Sequence, residues 1–95
     1  MNKKQYWVYI LYCNNDCYYT GYTTDLIKRY QAHLDGTASK YTRSFKPLKI
    51  AQYWKMNNKS IAMRYECAIK KMSRQNKEKM IAEPALLYEL IKPPF

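Results

Sequence analysis

Residues 5–23 read QYWVYILYCNNDCYYTGYT, and this stretch decides the fold. Its first eight residues are mostly β-branched and aromatic. Apolar side chains occupy both the odd and the even positions, which is typical of a strand buried on both faces. Residues 14–16 are a turn-forming cluster of Asn and Asp, and residues 17–23 again have strand composition. The pattern predicts a β-hairpin whose first strand is central in a sheet.

The length of the turn determines which side chains share a face of this hairpin. If the turn holds residues 14–16, Tyr9 and Tyr19 lie on the same face, and Gly21 pairs with Tyr9. A two-residue turn places the two tyrosines on opposite faces. A glycine inside a strand permits close approach by another backbone or a ligand, or it accommodates a bulge or tight packing.

The rest of the chain alternates helical and strand-like segments. A chain of 95 residues is long enough for one domain with a small core. We predict helices over 25–35 and 60–74, another capped by Ser73 or Asn76 and ending near 83, a short helical piece over 85–91, a strand over 48–54 and a surface loop over 37–47. The predicted fold class is therefore α+β, with a small three-stranded antiparallel sheet flanked by three or more helices in a single domain, 1–95.

The charge of the chain is strongly positive and unevenly distributed. Seventeen Lys and Arg against seven Asp and Glu give a net charge of +10, and twelve of the seventeen lie between residues 37 and 79. This clustering predicts a polyanionic partner, although a basic balance also serves solubility. No long basic amphipathic helix, lipidation signal or apolar run of about 20 residues is present, so we expect no membrane attachment.

The three cysteines, Cys13, Cys17 and Cys67, form no C-x-x-C pair, and their number is odd. Neither a disulfide framework nor a zinc ribbon is expected from such a pattern. A reducing, cytoplasmic location fits it, since the N-terminal segment also lacks the small-residue cleavage site of a signal peptide. The short chain also argues against a large buried organic cofactor.

Three polar side chains flank the apolar stripes of the two longer predicted helices. Arg29 and His33 fall on one edge of the stripe in helix 25–35, where a guanidinium and an imidazole could meet a phosphate. On their own, these positions favour a solvated flank residue and a half-buried histidine. Glu66 lies just past the stripe of helix 60–74, and either a salt bridge to Lys70 or a divalent cation could engage it. On its own, this position favours the salt bridge.

Together these residues resemble the GIY-YIG nuclease family. The pattern consists of Val8-Tyr9-Ile10, Tyr19-Thr20-Gly21, Arg29, His33 four residues later, and Glu66 on a later helix. The chain is most similar to small single-domain proteins like the UvrC N-terminal domain. The likeness extends from about Tyr6 to Ile81 and includes Tyr41-Thr42-Arg43-Ser44, Ile69-Lys70-Lys71 and Ser73-Arg74. It departs from the family at the first triplet, at Thr20 where isoleucine is usual, and in lacking a well-spaced Asn after Glu66.

The resemblance implies a metal-dependent endonuclease that cleaves DNA, including branched or single-stranded forms, in repair or recombination. Glu66 would hold Mg²⁺ or Mn²⁺, and Arg29 would contact the scissile phosphate. Tyr9 and Tyr19 would orient or deprotonate the attacking water, and His33 would assist proton transfer or phosphate contact. Nucleic-acid contacts are expected at Gly21, Lys40, Tyr41, Arg43, Lys46 and Lys70.

Two other classes of function compete with this hypothesis. The chain could be a catalytically weak or silent nucleic-acid-binding module on the same scaffold, because it carries no additional DNA-binding domain. It could also be a protein-interaction domain that uses its tyrosine-rich surface. Metal-dependent cleavage separates the enzyme from the silent module, and a DNA shift separates both from the interaction domain.

Overall fold

The computed structural model describes residues 4–92, which form an α+β fold around one three-stranded antiparallel sheet. The strands are β1 (Tyr6–Cys13), β2 (Tyr18–Thr23) and β3 (Pro47–Met56), and the α-helices are α1 (Leu26–Leu34), α2 (Lys40–Ser44), α3 (Lys59–Lys70), α4 (Arg74–Ala82) and α5 (Leu87–Leu90). A 3₁₀ turn, Pro84–Leu86, precedes α5. The predicted fold class is confirmed.

The hairpin has the three-residue turn that places both tyrosines on one face. Tyr9 pairs with Gly21, and the backbone N–H of Cys13 donates to the Cys17 carbonyl at 2.9 Å. Asp16 closes the turn at φ 63°, in the left-handed region that Asp tolerates better than most residues. The sheet order β2-β1-β3 makes β1 the central strand, as its two-sided apolar pattern predicts.

Helices cover both faces of the sheet. Val8 and Ile10 of β1 belong to the larger cluster, where α3 contributes Tyr65 and Ile69. The alternate side chains of β1, Tyr9 among them, face the other way into a smaller cluster with residues of α1 and α2. The functional side chains of the hairpin therefore lie on the face that α1 and α2 cover.

Two predictions of secondary structure, one for a loop and one for the end of a helix, are wrong. Residues 40–44 of the predicted surface loop form α2, because Ser39 caps it by accepting from the Thr42 N–H at 3.1 Å. A five-residue helix is too short to produce an apolar period. The predicted helix 60–74 ends at Lys70, and Ser73, rather than Asn76, caps a separate helix, α4.

Candidate active site

A cleft of about 440 Å³ lies at the β2 edge of the sheet, where residues from both faces meet. It is lined by Tyr6, Tyr9, Tyr19, Gly21, Tyr22, Thr23, Thr24, Arg29, Lys59 and Glu66. Four of the five residues predicted to be catalytic are in this set, and they come from β1, β2, α1 and α3. His33 lies behind Tyr9, with 1% of its surface exposed.

Gly21 leaves the space that the phenol of Tyr9 occupies. A Cβ built on Gly21 would lie 2.5 Å from Tyr9 Oη and 2.7 Å from Cζ, well inside van der Waals contact. The Tyr9 ring is buried on the central strand and cannot retreat easily. Glycine is thus required here by a close approach within the protein, the packing role that the sequence left open.

A chain of hydrogen bonds runs inward from the Tyr9 phenol. Tyr9 Oη lies 2.8 Å from His33 Nε2, and His33 Nδ1 lies 2.7 Å from Thr42 Oγ1. Thr42 Oγ1 is in turn 2.8 Å from Ser39 Oγ. Because both ring nitrogens have partners, the imidazole orientation is fixed, and one tautomer lets Nε2 accept the phenol hydrogen while Nδ1–H donates to Thr42.

Burial determines the protonation of this pair. Burial and, to a smaller extent, the positive charge of Arg29 together lower the pKa of His33 to about 4. The pKa of Tyr9 is raised, first by burial and then by the neighbouring Tyr19; Arg29 opposes the rise, and Glu66 adds to it. At neutral pH the pair is therefore a neutral imidazole and a neutral phenol.

Arg29 and Glu66 bring opposite charges to the cleft from opposite sides of the sheet. Arg29 is exposed on α1, and its charge acts on both Tyr9 and His33. The Glu66 side chain is 20% exposed on α3, and its Oε2 lies 3.6 Å from Lys70 Nζ. The expected salt bridge is present, and Glu66 also lines the cleft, so the two interpretations of this carboxylate are compatible.

The donor set fits a hard divalent cation held by few protein ligands. Within residues 4–92, no group of three or more His, Cys, Asp and Glu side chains could hold a metal ion, which excludes a closed zinc site there. A single cleft carboxylate beside phenolic oxygens suits Mg²⁺ or Mn²⁺, which keep several waters and take substrate phosphate oxygens as further ligands. The candidate ligand among the described residues is Glu66.

The sequence matches the GIY-YIG catalytic domain over residues 5–79. The chain belongs to this family. It is 39% identical over 84 residues to UPF0213 protein BH0048 of Halalkalibacterium halodurans, covering 88% of this chain and 89% of the relative. UPF0213 protein lwe0147 of Listeria welshimeri is 39% identical over 79 residues, covering 83% and 88%. These relatives confirm the resemblance to small GIY-YIG proteins.

The solution NMR structure of BH0048 resembles this GIY-YIG domain with a TM-score of 0.53 and 40% identity. The match covers 82% of this chain and 83% of that one.

Among the described residues, no helix has the length and apolar character needed to cross a bilayer.

The residues predicted to bind nucleic acid are divided between two places. Gly21 lines the cleft of the GIY-YIG domain, and Lys70 pairs with Glu66 beside it. The other four, Lys40, Tyr41, Arg43 and Lys46, lie on or just after α2, outside the cleft lining. Tyr41 links the two places, because its ring stacks on the ring of Tyr19 with their centroids 5.8 Å apart.

Sequence reasoning missed two contributions to the site. Lys59 lines the cleft from the start of α3, seven residues before Glu66, and this two-turn spacing on one helix face was the available signal. Thr42, which is fully buried, anchors His33 from the far side. That contact joins two helices through a bend in the chain, and no local pattern predicts it.

Proposed function

We propose that this GIY-YIG domain is a divalent-metal-dependent endonuclease that hydrolyses phosphodiester bonds in DNA, acting in repair or recombination. The observation that supports this most directly is the convergence of two phenols, a guanidinium and a carboxylate on one cleft from four separate elements. A reaction at phosphate needs stabilisation of negative charge, an oriented water and a route for its proton. These groups supply all three.

Glu66 holds the metal in this proposal. A bound Mg²⁺ or Mn²⁺ would neutralise charge that builds on the phosphoryl oxygens and would lower the pKa of nearby groups. The ion pair with Lys70, one helical turn later, directs the carboxylate along α3. It engages Oε2 only, so Oε1 is the oxygen free of that ion pair.

Arg29 and Lys59 contact the substrate phosphate. The guanidinium presents parallel N–H donors that match two phosphate oxygens, and Lys59 adds a second positive charge to the cleft lining. Arg29 is exposed in the described structure, so it can exchange solvent for phosphate without leaving a buried partner. These cations hold the phosphate over the phenols.

The two phenols orient the water, and His33 controls the Tyr9 proton. Hydrolysis adds the water oxygen to phosphorus, breaks one phosphorus–oxygen ester bond, and transfers a water proton to the departing oxygen. A neutral His33 whose Nε2 accepts from Tyr9 leaves the phenol oxygen lone pairs for the water. The positive charge of Arg29 favours the phenolate and opposes part of the rise in pKa that burial of Tyr9 causes.

The exposed cations on and after α2 extend the contact with the nucleic-acid backbone. Lys40, Arg43 and Lys46 are exposed, and Tyr41 places this segment beside Tyr19 of the cleft. Phosphate contacts of this kind position a substrate without reading its sequence. They therefore support affinity rather than chemistry.

A silent nucleic-acid-binding module is the second candidate, because Glu66 already has a partner in Lys70. Incubation of the purified protein with plasmid, single-stranded and branched DNA separates the two functions. We expect cleavage with Mg²⁺ or Mn²⁺ and none with a chelator. Tight binding with no metal-dependent cleavage of any substrate would show the second function instead.

A further inference from the structure

An aromatic pair of one half-buried and one exposed ring, Trp7 and Tyr53, lies on the sheet beside the start of α1. The rings of Trp7 and Tyr53 meet edge to face with their centroids 5.9 Å apart. Both residues line a groove of about 380 Å³ together with Asp25, Leu26, Ile27 and Ile50. Tyr53 is 51% exposed, so this pair forms a surface that a flat group can contact.

Positive charge flanks the aromatic groove. Lys55 is the cross-strand partner of Trp7 on β3, and side chains paired in this way lie on the same face of a sheet. Lys28 is exposed on α1, on the side of the groove that leads towards Arg29. The single carboxylate in the groove lining, Asp25, accepts from the Lys28 N–H at 3.0 Å as the helix cap.

The aromatic groove adjoins the candidate active site. A basin lined by Thr23, Thr24, Asp25, Lys28 and Arg29 lies between the two. It shares Thr23, Thr24 and Arg29 with the cleft, and it shares Asp25 with the groove. A strand whose phosphate sits at Arg29 can therefore continue around the start of α1 to the aromatic rings.

We propose that Trp7 and Tyr53 form a stacking platform for an unpaired base of the nucleic-acid substrate, next to the phosphate bound at Arg29. This inference rests on the proposed function for the identity of the ligand. Aromatic side chains flanked by cations are the usual combination for binding single strands, since every base has a face to stack and every linkage a charge to neutralise. A double helix hides its base faces, so the platform selects unpaired or splayed nucleotides.

Binding of a short fluorescein-labelled oligothymidylate, measured by anisotropy in the presence of EDTA, tests the platform without cleavage. Tyr53→Ala should weaken binding by about 5- to 140-fold, as expected for the loss of one stacked base. Tyr88→Ala is the matched control, because Tyr88 is also 51% exposed but lies on α5. It should bind like the wild type.

An abasic oligomer of the same length distinguishes base stacking from phosphate contact. Wild type and Tyr53→Ala should bind it equally, because it has the phosphates and lacks the bases. The proposal is overturned if Tyr53→Ala binds oligothymidylate as well as Tyr88→Ala does, or if its defect is the same on the abasic oligomer. It is also overturned if ultracentrifugation shows a dimer that Tyr53→Ala dissociates, which would make the groove a contact between copies.

The same proteins assayed for cleavage with Mg²⁺ keep this proposal separate from the proposed function. Cleavage by the wild type together with normal binding by Tyr53→Ala would reject the platform alone. A Tyr53-dependent affinity for bases without cleavage of any substrate would reject the nuclease and support the platform.

Discussion

Lowering the pH from 7 to 4 should destabilise the protein through His33. The folded-state pKa of His33 is about 4, and an exposed histidine in the unfolded chain titrates near 6.5. Between these values the unfolded state binds a proton that the folded state excludes, so the free energy of unfolding falls as the pH falls. The gap between about 4 and 6.5 corresponds to about 3 kcal/mol, at about 1.36 kcal/mol per pH unit.

Among the described residues, the other carboxyl or imidazole group with a shifted pKa is Asp16, and it titrates outside the window from pH 6.5 to 4. The pKa of Asp16 is lowered by the hydrogen bond from Tyr12 and by Arg74, so its contribution is lost only below its ordinary value of 3.8. The tyrosines with raised pKa values titrate above pH 10. A loss of stability between pH 6.5 and 4 is therefore assigned to the imidazole.

Urea unfolding at several pH values, combined with an NMR titration, measures this effect. The chain contains one histidine, so its imidazole signal is unambiguous. We expect the signal to titrate near pH 4, and we expect His33→Gln to lose most of the slope of stability against pH. An imidazole that titrates near 6.5, or a slope that His33→Gln leaves unchanged, would refute the buried, neutral His33.

Four further substitutions separate packing, chemistry and affinity. Gly21→Ala should lower the free energy of unfolding by about 1–3 kcal/mol in urea titrations, because the added methyl meets the Tyr9 phenol; unchanged stability would show that the ring can move. Arg29→Ala should slow DNA cleavage by about 10²- to 10³-fold with little change in melting temperature; a large loss of melting temperature would make it a structural residue. Lys40→Glu and Lys46→Glu should each weaken DNA binding and flatten the plot of log affinity against log salt by about 0.9, and an unchanged slope would place the binding surface elsewhere.

The sequence predicts the hairpin because its signals are local, but it leaves the register open between two turn lengths. The Asn-Asn-Asp cluster predicts the turn, and the structure has the three-residue turn that places Tyr9, Tyr19 and Gly21 together. The placement of Arg29 at the edge of the α1 stripe follows from helical periodicity in the same way. These local rules account for most of the cleft.

The remaining features depend on contacts between distant segments. Thr42 reaches His33 because α2 packs against α1, and a five-residue helix has no period that would reveal it. The face of Tyr53 depends on the register of β3, which shifts by one residue between Ile10 and Leu11 of β1. An irregularity of this kind moves side chains to the other face, so composition alone could not place Tyr53 beside Trp7.

The most direct test of the proposed site is the rate of DNA cleavage by Glu66→Gln under single-turnover conditions with Mg²⁺. Glu89→Gln, an exposed substitution on α5, is the matched control. We expect Glu66→Gln to bind DNA normally and to cleave it at least about 10²-fold more slowly, while Glu89→Gln cleaves at the wild-type rate. Cleavage by Glu66→Gln at the wild-type rate would contradict the assignment of this carboxylate as the metal ligand.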